Sequence, residues 1–309
     1  MLRQRVTILD GGMGRELKRM GAPFRQPEWS ALALIDAPAF VLDAHLAFVA
    51  AGCDVVTCNS YAIVPFHIGE ERFAARGREL ADLAGRLSRQ AAASAAGRTV
   101  RVAGSLPPLF GSYRPDLFDA ARAPAMLATL VGGLSPHVDL WLGETLSSIA
   151  EAQAVAQALQ GDPRPRWFSF TIMDGEDVSD GIPRLRSGET VESAAEFVAA
   201  DGAEALLFNC SQPEAMKPAL DAARATLARL GSAASTGVYA NAFPPQRKDA
   251  QANETVQPLR DDLSPPGYLE WVRRWVDSGA TIVGGCCGIG PEHIEVLARM
   301  AAANRRTPV

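Results

Sequence analysis

The stretch Ala280-Thr-Ile-Val-Gly-Gly-Cys-Cys-Gly288 runs a short apolar segment into two glycines and then two adjacent thiols. Thr281-Ile-Val has the β-branched content of a buried strand, and the glycines leave its backbone free to turn. A vicinal pair such as Cys286–Cys287 hardly forms an unstrained disulfide, because the two Cα atoms want more separation than one peptide bond readily allows. Two soft thiolates delivered together suit a metal, and zinc is the usual ion of thiolate-rich sites. Zinc normally takes more than two protein ligands. The matching candidate is Cys210, which ends a second apolar run, Ala205-Leu-Leu-Phe-Asn-Cys210. Three thiolates with one open position describe a catalytic rather than a structural zinc. The competing reading is packing, since a buried cysteine usually acts as a small hydrophobe.

Taken outward from this strand, the chain repeats one unit. Apolar strand-like runs are predicted at 6–10, 55–59, 100–104, 138–142, 167–172, 205–210, 237–241 and 280–287. Between them the periodicity predicts helices at 15–20, 37–50, 70–96, 117–134, 149–159, 191–200, 213–230 and 268–278, with a last one opened by Pro291. Eight strands alternating with helices are what a (β/α)8 TIM barrel requires. A doubly wound sheet is the alternative, but eight near-regular repeats favour closure. No linker or shift of composition divides the chain, so residues 1–309 read as one barrel domain.

Hydrophobic residues at 48% and charged residues at 21% fit a globular chain with a large core. The net charge is −5 and no basic stripe carries interleaved aromatics, which argues against nucleic acid as a partner. No apolar run reaches membrane-spanning length, and Met1-Leu-Arg-Gln-Arg5 leads straight into the first strand rather than a signal-peptide core. Five cysteines, an odd number in a long chain, do not suggest a disulfide framework. The expectation is a cytoplasmic, reduced protein with its thiols free for metal.

A barrel carries its active site at the C-terminal ends of its strands. Asp10, Asn59, Glu144, Ser169, Asn209, Cys210, Asn241, Cys286 and Cys287 all fall there. Asp and Asn also cap helices, so Asn59 and Asn241 have an ordinary reading beside the functional one; Glu144 is a poor cap. Asp10-Gly11-Gly12-Met13-Gly14 lacks the dinucleotide fingerprint, and its glycines would instead let backbone N–H groups approach an anionic ligand such as a carboxylate. Asp10 and Glu144 would pair with an ammonium. A site with N–H donors, two carboxylates and an open zinc suits a zwitterionic amino acid bearing a thiol. His45, His67, His137 and His293 show no metal-binding spacing, and Cys53 and Cys58 read as packing residues.

These residues resemble the homocysteine S-methyltransferase family, which takes in S-methylmethionine-dependent and betaine-dependent enzymes and the homocysteine domain of cobalamin-dependent methionine synthase. The resemblance covers nearly the whole chain. It is carried by Asp10-Gly-Gly-Met-Gly14, Trp29-Ser30, Asp54-Val-Val-Thr-Cys-Asn-Ser-Tyr61, Gly143-Glu-Thr145, Asn209-Cys210 and Gly284-Gly-Cys-Cys-Gly288. It implies a (β/α)8 barrel, zinc on Cys210, Cys286 and Cys287, and homocysteine held by its amino-acid head at Asp10, Glu144 and the amides of Gly11 and Gly12. The activity implied is methyl transfer to the homocysteine thiol, giving methionine, with no side-chain base beyond the metal centre. Arg15 stands where many members have Thr, and the loops 104–113 and 240–245 differ from the patterns of well-known S-methylmethionine users. Those loops bear on the donor. A sulfonium such as S-methylmethionine or S-adenosylmethionine is expected first, with Trp29 offering a cation–π face; betaine, a folate or a different thiol acceptor are the alternatives.

Two readings from other classes compete. An aldolase-like barrel with structural cysteines would need a Schiff-base lysine at a strand end, whereas Lys18, Lys217 and Lys248 fall in helix or loop. A non-catalytic thiol- or zinc-binding component of a larger methyl-transfer system would bind homocysteine without turnover.

Overall fold

The structure, a computed structural model, describes residues 5–174, 181–244 and 258–306. Lys248 and parts of the loops 174–188 and 243–266 lie outside the described residues. Eight parallel strands form the centre: β1 (Thr7–Ile8), β2 (Val55–Thr57), β3 (Arg101–Leu106), β4 (Leu140–Leu146), β5 (Arg166–Phe170), β6 (Ala205–Asn209), β7 (Ser235–Tyr239) and β8 (Ile282–Val283). They pair in sequence order, with β8 returning to β1 through Thr7–Ile282 and Ile8–Val283. The remaining seam, between β1 and β2, is closed by the parallel bridge Leu9–Val55 and the Asp10 N–H donating to the Val55 carbonyl. The sheet is thus a (β/α)8 barrel.

Alternation along each strand separates two cores. Leu9, Val55, Leu142, Trp167, Leu207 and Ile282 fill the barrel, while their strand neighbours Ile8, Val56, Trp141, Phe168, Leu206 and Val283 face the helices. Burying each of these large side chains contributes about 1.5–3 kcal/mol. The helices are α1 (Met13–Arg19), α2 (Ser30–Asp36), α3 (Pro38–Ala51), α4 (Pro65–Ile68), α5 (Glu70–Ala93), α6 (Ala123–Leu134), α7 (Ile149–Ala158), α8 (Val191–Asp201), α9 (Pro213–Arg229), α10 (Pro265–Asp277) and α11 (Pro291–Arg306). Gly52 ends α3 at φ +102°, a conformation that an L side chain resists. Ser148 and Glu151 form a capping box that starts α7 directly after β4.

Several boundaries differ from the sequence expectation, and three of the differences have a clear physical reason. The region before residue 37 holds a full helix, α2, whose first five residues are all buried; with no polar face it shows no 3.6-residue period. The predicted helix from 117 begins only at Ala123. A 3-10 turn at Pro115–Leu117 precedes it, and Asp119 Oδ1 accepts the N–H groups of Ala121 and Arg122. Strand β4 continues past 142 to Leu146, with a register shift between Gly143 and Leu146, so Glu144 sits within the strand rather than after it. Among the described residues, no helix is long and apolar enough to cross a membrane.

Candidate active site

The C-terminal mouth of the barrel encloses a cavity of about 170 Å³, lined among others by Asp10, Trp29, Tyr113, Glu144, Cys210 and Cys287. Strands β6 and β8 end at its wall and deliver three sulfurs. The Sγ atoms of Cys210, Cys286 and Cys287 all lie within 4.8 Å of one another. Two thiolates on one tetrahedral zinc at ≈ 2.3 Å would stand ~3.7 Å apart, so small side-chain movements bring this set onto a soft cation. The cluster can therefore hold a metal ion. The sulfurs of Cys210 and Cys286 are drawn close together, and Cys287 stands beside them as a free thiol. The ends of β6 and β8 put the two Cα atoms 5.8 Å apart, inside the range that a disulfide spans.

The first-strand turn is built against this cluster. The Gly12 N–H donates to the Ile289 carbonyl at 2.9 Å, so that amide, expected to face a ligand, is engaged within the protein. Gly11 packs equally close, since a Cβ there would stand 2.2 Å from the same carbonyl oxygen.

The two carboxylates take different partners. Asp10 is buried, and Thr57 donates to it twice, N–H to Oδ2 at 2.7 Å and Oγ1 to Oδ1 at 2.9 Å. Burial outweighs these bonds and pushes its carboxyl up to about 7, with the Glu144 charge adding to the rise. Glu144 Oε2 accepts the Ser105 hydroxyl at 2.8 Å, and burial raises its carboxyl too. The Cys287 thiol is pushed up to about 11 by burial, against the pull of the nearby Arg15 guanidinium. Arg15 lines the cavity and lies over the Phe243 ring at 5.2 Å.

Among the described residues, the four non-glycine residues with positive φ are Trp29, Tyr113, Thr145 and Cys210, and all four line the cavity. Such strain clusters where a scaffold over-determines a functional geometry. Trp29 meets the edge of Phe24, ring centroids 5.7 Å apart, and Asn59 lines the cavity while its Nδ2 donates to the Ser30 carbonyl at 3.2 Å. Asn241 is buried, and its Oδ1 accepts the Phe243 N–H.

Thr57, Tyr61, Tyr113 and Tyr239 also line the cavity, and sequence reading did not single them out. For Thr57 and Tyr239 a signal existed: each lies two residues before a strand-end asparagine, Asn59 or Asn241, hence on the same inward face. Cys58, read as packing, is buried and borders the cavity, and burial pushes its thiol up to about 12. None of the four histidines joins the sulfur cluster, although His67 lines the same cavity. His45 meets the Ser88 hydroxyl, His67 Nδ1 the Pro27 carbonyl, His137 Asp82 and His293 the Leu263 carbonyl.

Known proteins match nearly the whole length of the chain. The homocysteine S-methyltransferase of Escherichia coli K12 is 30% identical, with 96% of this chain and 95% of that one covered. A selenocysteine methyltransferase of Astragalus bisulcatus is 26% identical over 97% of this chain and 94% of its own. The metallated form of the homocysteine methyltransferase from Escherichia coli superposes with a TM-score of 0.76 at 26% identity, covering 96% and 97% of the two chains. The homocysteine S-methyltransferase family model itself matches residues 7–301, from the first strand through the two thiol-bearing strand ends into α11, and the chain belongs to that family.

Proposed function

We propose that the chain transfers a methyl group to the thiol of homocysteine, giving methionine, with zinc on Cys210, Cys286 and Cys287 and a sulfonium such as S-methylmethionine or S-adenosylmethionine as donor. The observation that carries this reading is the convergence of three sulfurs within 4.8 Å on a cavity that also presents Asp10 and Glu144. One end of that cavity reads a thiol and the other an ammonium. The relative solved in a metallated form supports a metal in this fold, and an all-sulfur donor set selects zinc among common ions.

Zinc held there would lower the pKa of a coordinated acceptor thiol, so that it is present as a thiolate at neutral pH. The chain's own residues do the rest. Glu144, with one oxygen fixed by Ser105, offers the other to the ammonium, and Asp10, oriented by Thr57, adds its charge. Arg15 provides the cation for a carboxylate at the same cavity. Trp29 presents an aromatic face to a cationic donor. The new S–C bond forms as the donor's S–CH₃ bond breaks, and its electron pair stays on the donor sulfur, which leaves as a neutral thioether. No proton moves in that step, so no side-chain base is required; holding the two sulfurs and the methyl carbon in line is the remaining task.

Free thiols are a condition of this reading, and the enzyme is accordingly placed in the reducing cytoplasm, with residues 1–309 working as one barrel domain. Elemental analysis after reduction should give about one zinc per chain in the wild type and a large loss in Cys210→Ala. Methionine formation from homocysteine and each sulfonium then identifies the donor. A reduced wild type that takes up no zinc when it is supplied sinks the mechanism.

A further inference from the structure

The loop that follows β3 crosses the mouth of the barrel. Tyr61, past the end of β2, and Ser112 share a hydrogen bond between their hydroxyl groups at 2.5 Å. The next residue, Tyr113, donates its hydroxyl to the carbonyl of Cys210, just past the end of β6, at 3.4 Å. Strands β2 and β6 stand four apart in the ring of eight, on opposite sides of the barrel. Two consecutive residues therefore touch both sides of the mouth, and Tyr61, Ser112, Tyr113 and Cys210 all line the cavity. Gly111 at φ +132° and Tyr113 at φ +67° turn the chain through this crossing.

A buried ion pair holds the crossing in place. Arg186 Nη2 donates to Asp174 Oδ1 at 2.8 Å, with the two side chains 7% and 0% exposed, and the guanidinium lies 5.3 Å from the centre of the Tyr113 ring. Asp174 is fixed in turn, its Oδ2 accepting the Gln212 N–H at 3.0 Å. Arg186 belongs to a segment that pairs back on the exit of β5 through the antiparallel bridge Ile172–Leu185, and its own N–H donates to the Thr171 carbonyl. A guanidinium anchored at so many points cannot follow the ring if the ring moves, so the cation–π contact favours one ring position.

We propose that Ser112 and Tyr113 form a bar across the mouth beside the sulfur cluster and position the methyl donor there, with Arg186 holding the bar through the Tyr113 ring. This rests on the functional reading above, in which the acceptor thiol is bound at the cysteines. Transfer needs the donor carbon within about 3–3.5 Å of that sulfur. Tyr113, in contact with Cys210, stands where the donor must arrive. The head group of the acceptor is read elsewhere, at Asp10 and Glu144. The bar also limits access to the sulfurs beneath it, and it opens more often when either of its two ends is released.

Two measurements on folded variants, checked by thermal melting, test this. The first uses the reduced, metal-free protein and follows modification of Cys287 by a bulky aromatic disulfide, mapped by mass spectrometry. Its rate is expected to rise about 2–30-fold in Arg186→Met, the effect of one lost cation–π contact on the opening of the bar. In Ser112→Ala, which frees the Tyr61 end, the rise expected from one lost hydrogen bond is about 2–10-fold. The second uses the zinc-loaded enzyme. In Tyr113→Leu the kcat/KM for the sulfonium donor is expected to fall about 10–100-fold as the donor loses its alignment, while the Kd of homocysteine by calorimetry stays at the wild-type value. Arg186→Lys, which keeps the charge, should recover most of the donor kcat/KM lost in Arg186→Met. Should Arg186→Met fail to fold with Asp174 left unpaired, Tyr113→Leu keeps that pair and carries both measurements. Wild-type modification rates of Cys287 throughout, or donor and homocysteine constants disturbed together, overturn the proposal. If the wild type transfers no methyl group to homocysteine, the functional reading fails by itself, and the Cys287 rates still decide whether the bar covers the sulfurs.

Discussion

A Cβ added to Gly12 would stand 2.5 Å from the Cys286 carbonyl oxygen and 2.9 Å from the Cys287 Cα. The turn after β1 and the turn after β8 are thus in backbone contact, at a separation that only glycine permits. The glycines that sequence reading assigned to a ligand also seat the thiol-bearing turn.

Gly12→Ala is accordingly expected to displace Cys286 and Cys287, because the obstructing atoms are backbone and cannot rotate away. Overpacking of this kind costs about 1–3 kcal/mol. Thermal melting should show the loss, and chelator competition should show zinc affinity down about tenfold as the ligands lose their support. Gly14 is the control. A Cβ there meets nothing nearer than the Phe24 ring at 3.4 Å, so Gly14→Ala should melt near the wild type. Equal losses in the two variants would contradict the seating role.

The raised carboxyl of Asp10 predicts a pH dependence with a definite sign. Its ordinary pKa is 3.8 and burial lifts it to about 7 in the folded chain. Between those values the folded state holds a proton that the unfolded state has released. Stability therefore falls as pH rises through this window, by at most about 1.4 kcal/mol per pH unit for one group. Binding runs the other way, since an ammonium is held best by the ionised carboxylate. Acceptor affinity should rise toward pH 7 and level off above it. In Asp10→Asn both slopes should flatten, as read by melting temperature against pH and by calorimetric binding of homocysteine.

Glu144 and Arg15 should separate the two charges of the acceptor. Glu144→Gln keeps the Ser105 contact but removes the charge opposite the ammonium, which typically costs 2 kcal/mol or more at a buried pair. The KM for homocysteine should rise about thirtyfold or more as a result. An analogue lacking the amino group should be indifferent to the change. Arg15→Met should weaken homocysteine but leave its methyl ester unaffected, because the guanidinium acts on the carboxylate. Identical responses to both analogues would show that neither residue reads the head group.

The barrel was legible because apolar strand-like runs recur eight times in alternation with helix-forming segments. The clustering of three cysteines was legible for a related reason: Asn209-Cys210 and Gly285-Cys286-Cys287 end such strands, where a barrel gathers its chemistry. Helix α2 was not legible, since Ser30 to Leu34 are buried on every side and leave no polar face to reveal the turn. The continuation of β4 through Glu144 was hidden by Gly143, which reads as a strand end. In the structure it allows close approach instead: a Cβ there would meet Leu146 at 3.1 Å and Phe168 at 3.3 Å. The role of Gly12 was hidden most deeply, because a contact between residues 12 and 286 leaves no local trace in either segment.

Trp29 tests the donor. It lines the cavity at φ +49°, at the N-terminus of α2, with Phe24 edge-on behind it. A ring lining the same cavity as a zinc-bound thiolate cluster would favour a cation, and the contribution of such a contact is about 0.5–2 kcal/mol. Trp29→Leu should raise the KM for a sulfonium donor about 2–30-fold while the KM for homocysteine stays near the wild-type value. Packing alone predicts something else, a lower melting temperature with both constants disturbed together. The sharper comparison uses inhibitors of one shape and different charge, a trialkylsulfonium compound against its neutral hydrocarbon isostere. The wild type should prefer the cation, and Trp29→Leu should lose most of that preference. If the preference survives intact, the cation is held without the ring, and Trp29 belongs to the wall of the cavity rather than to its recognition of the donor.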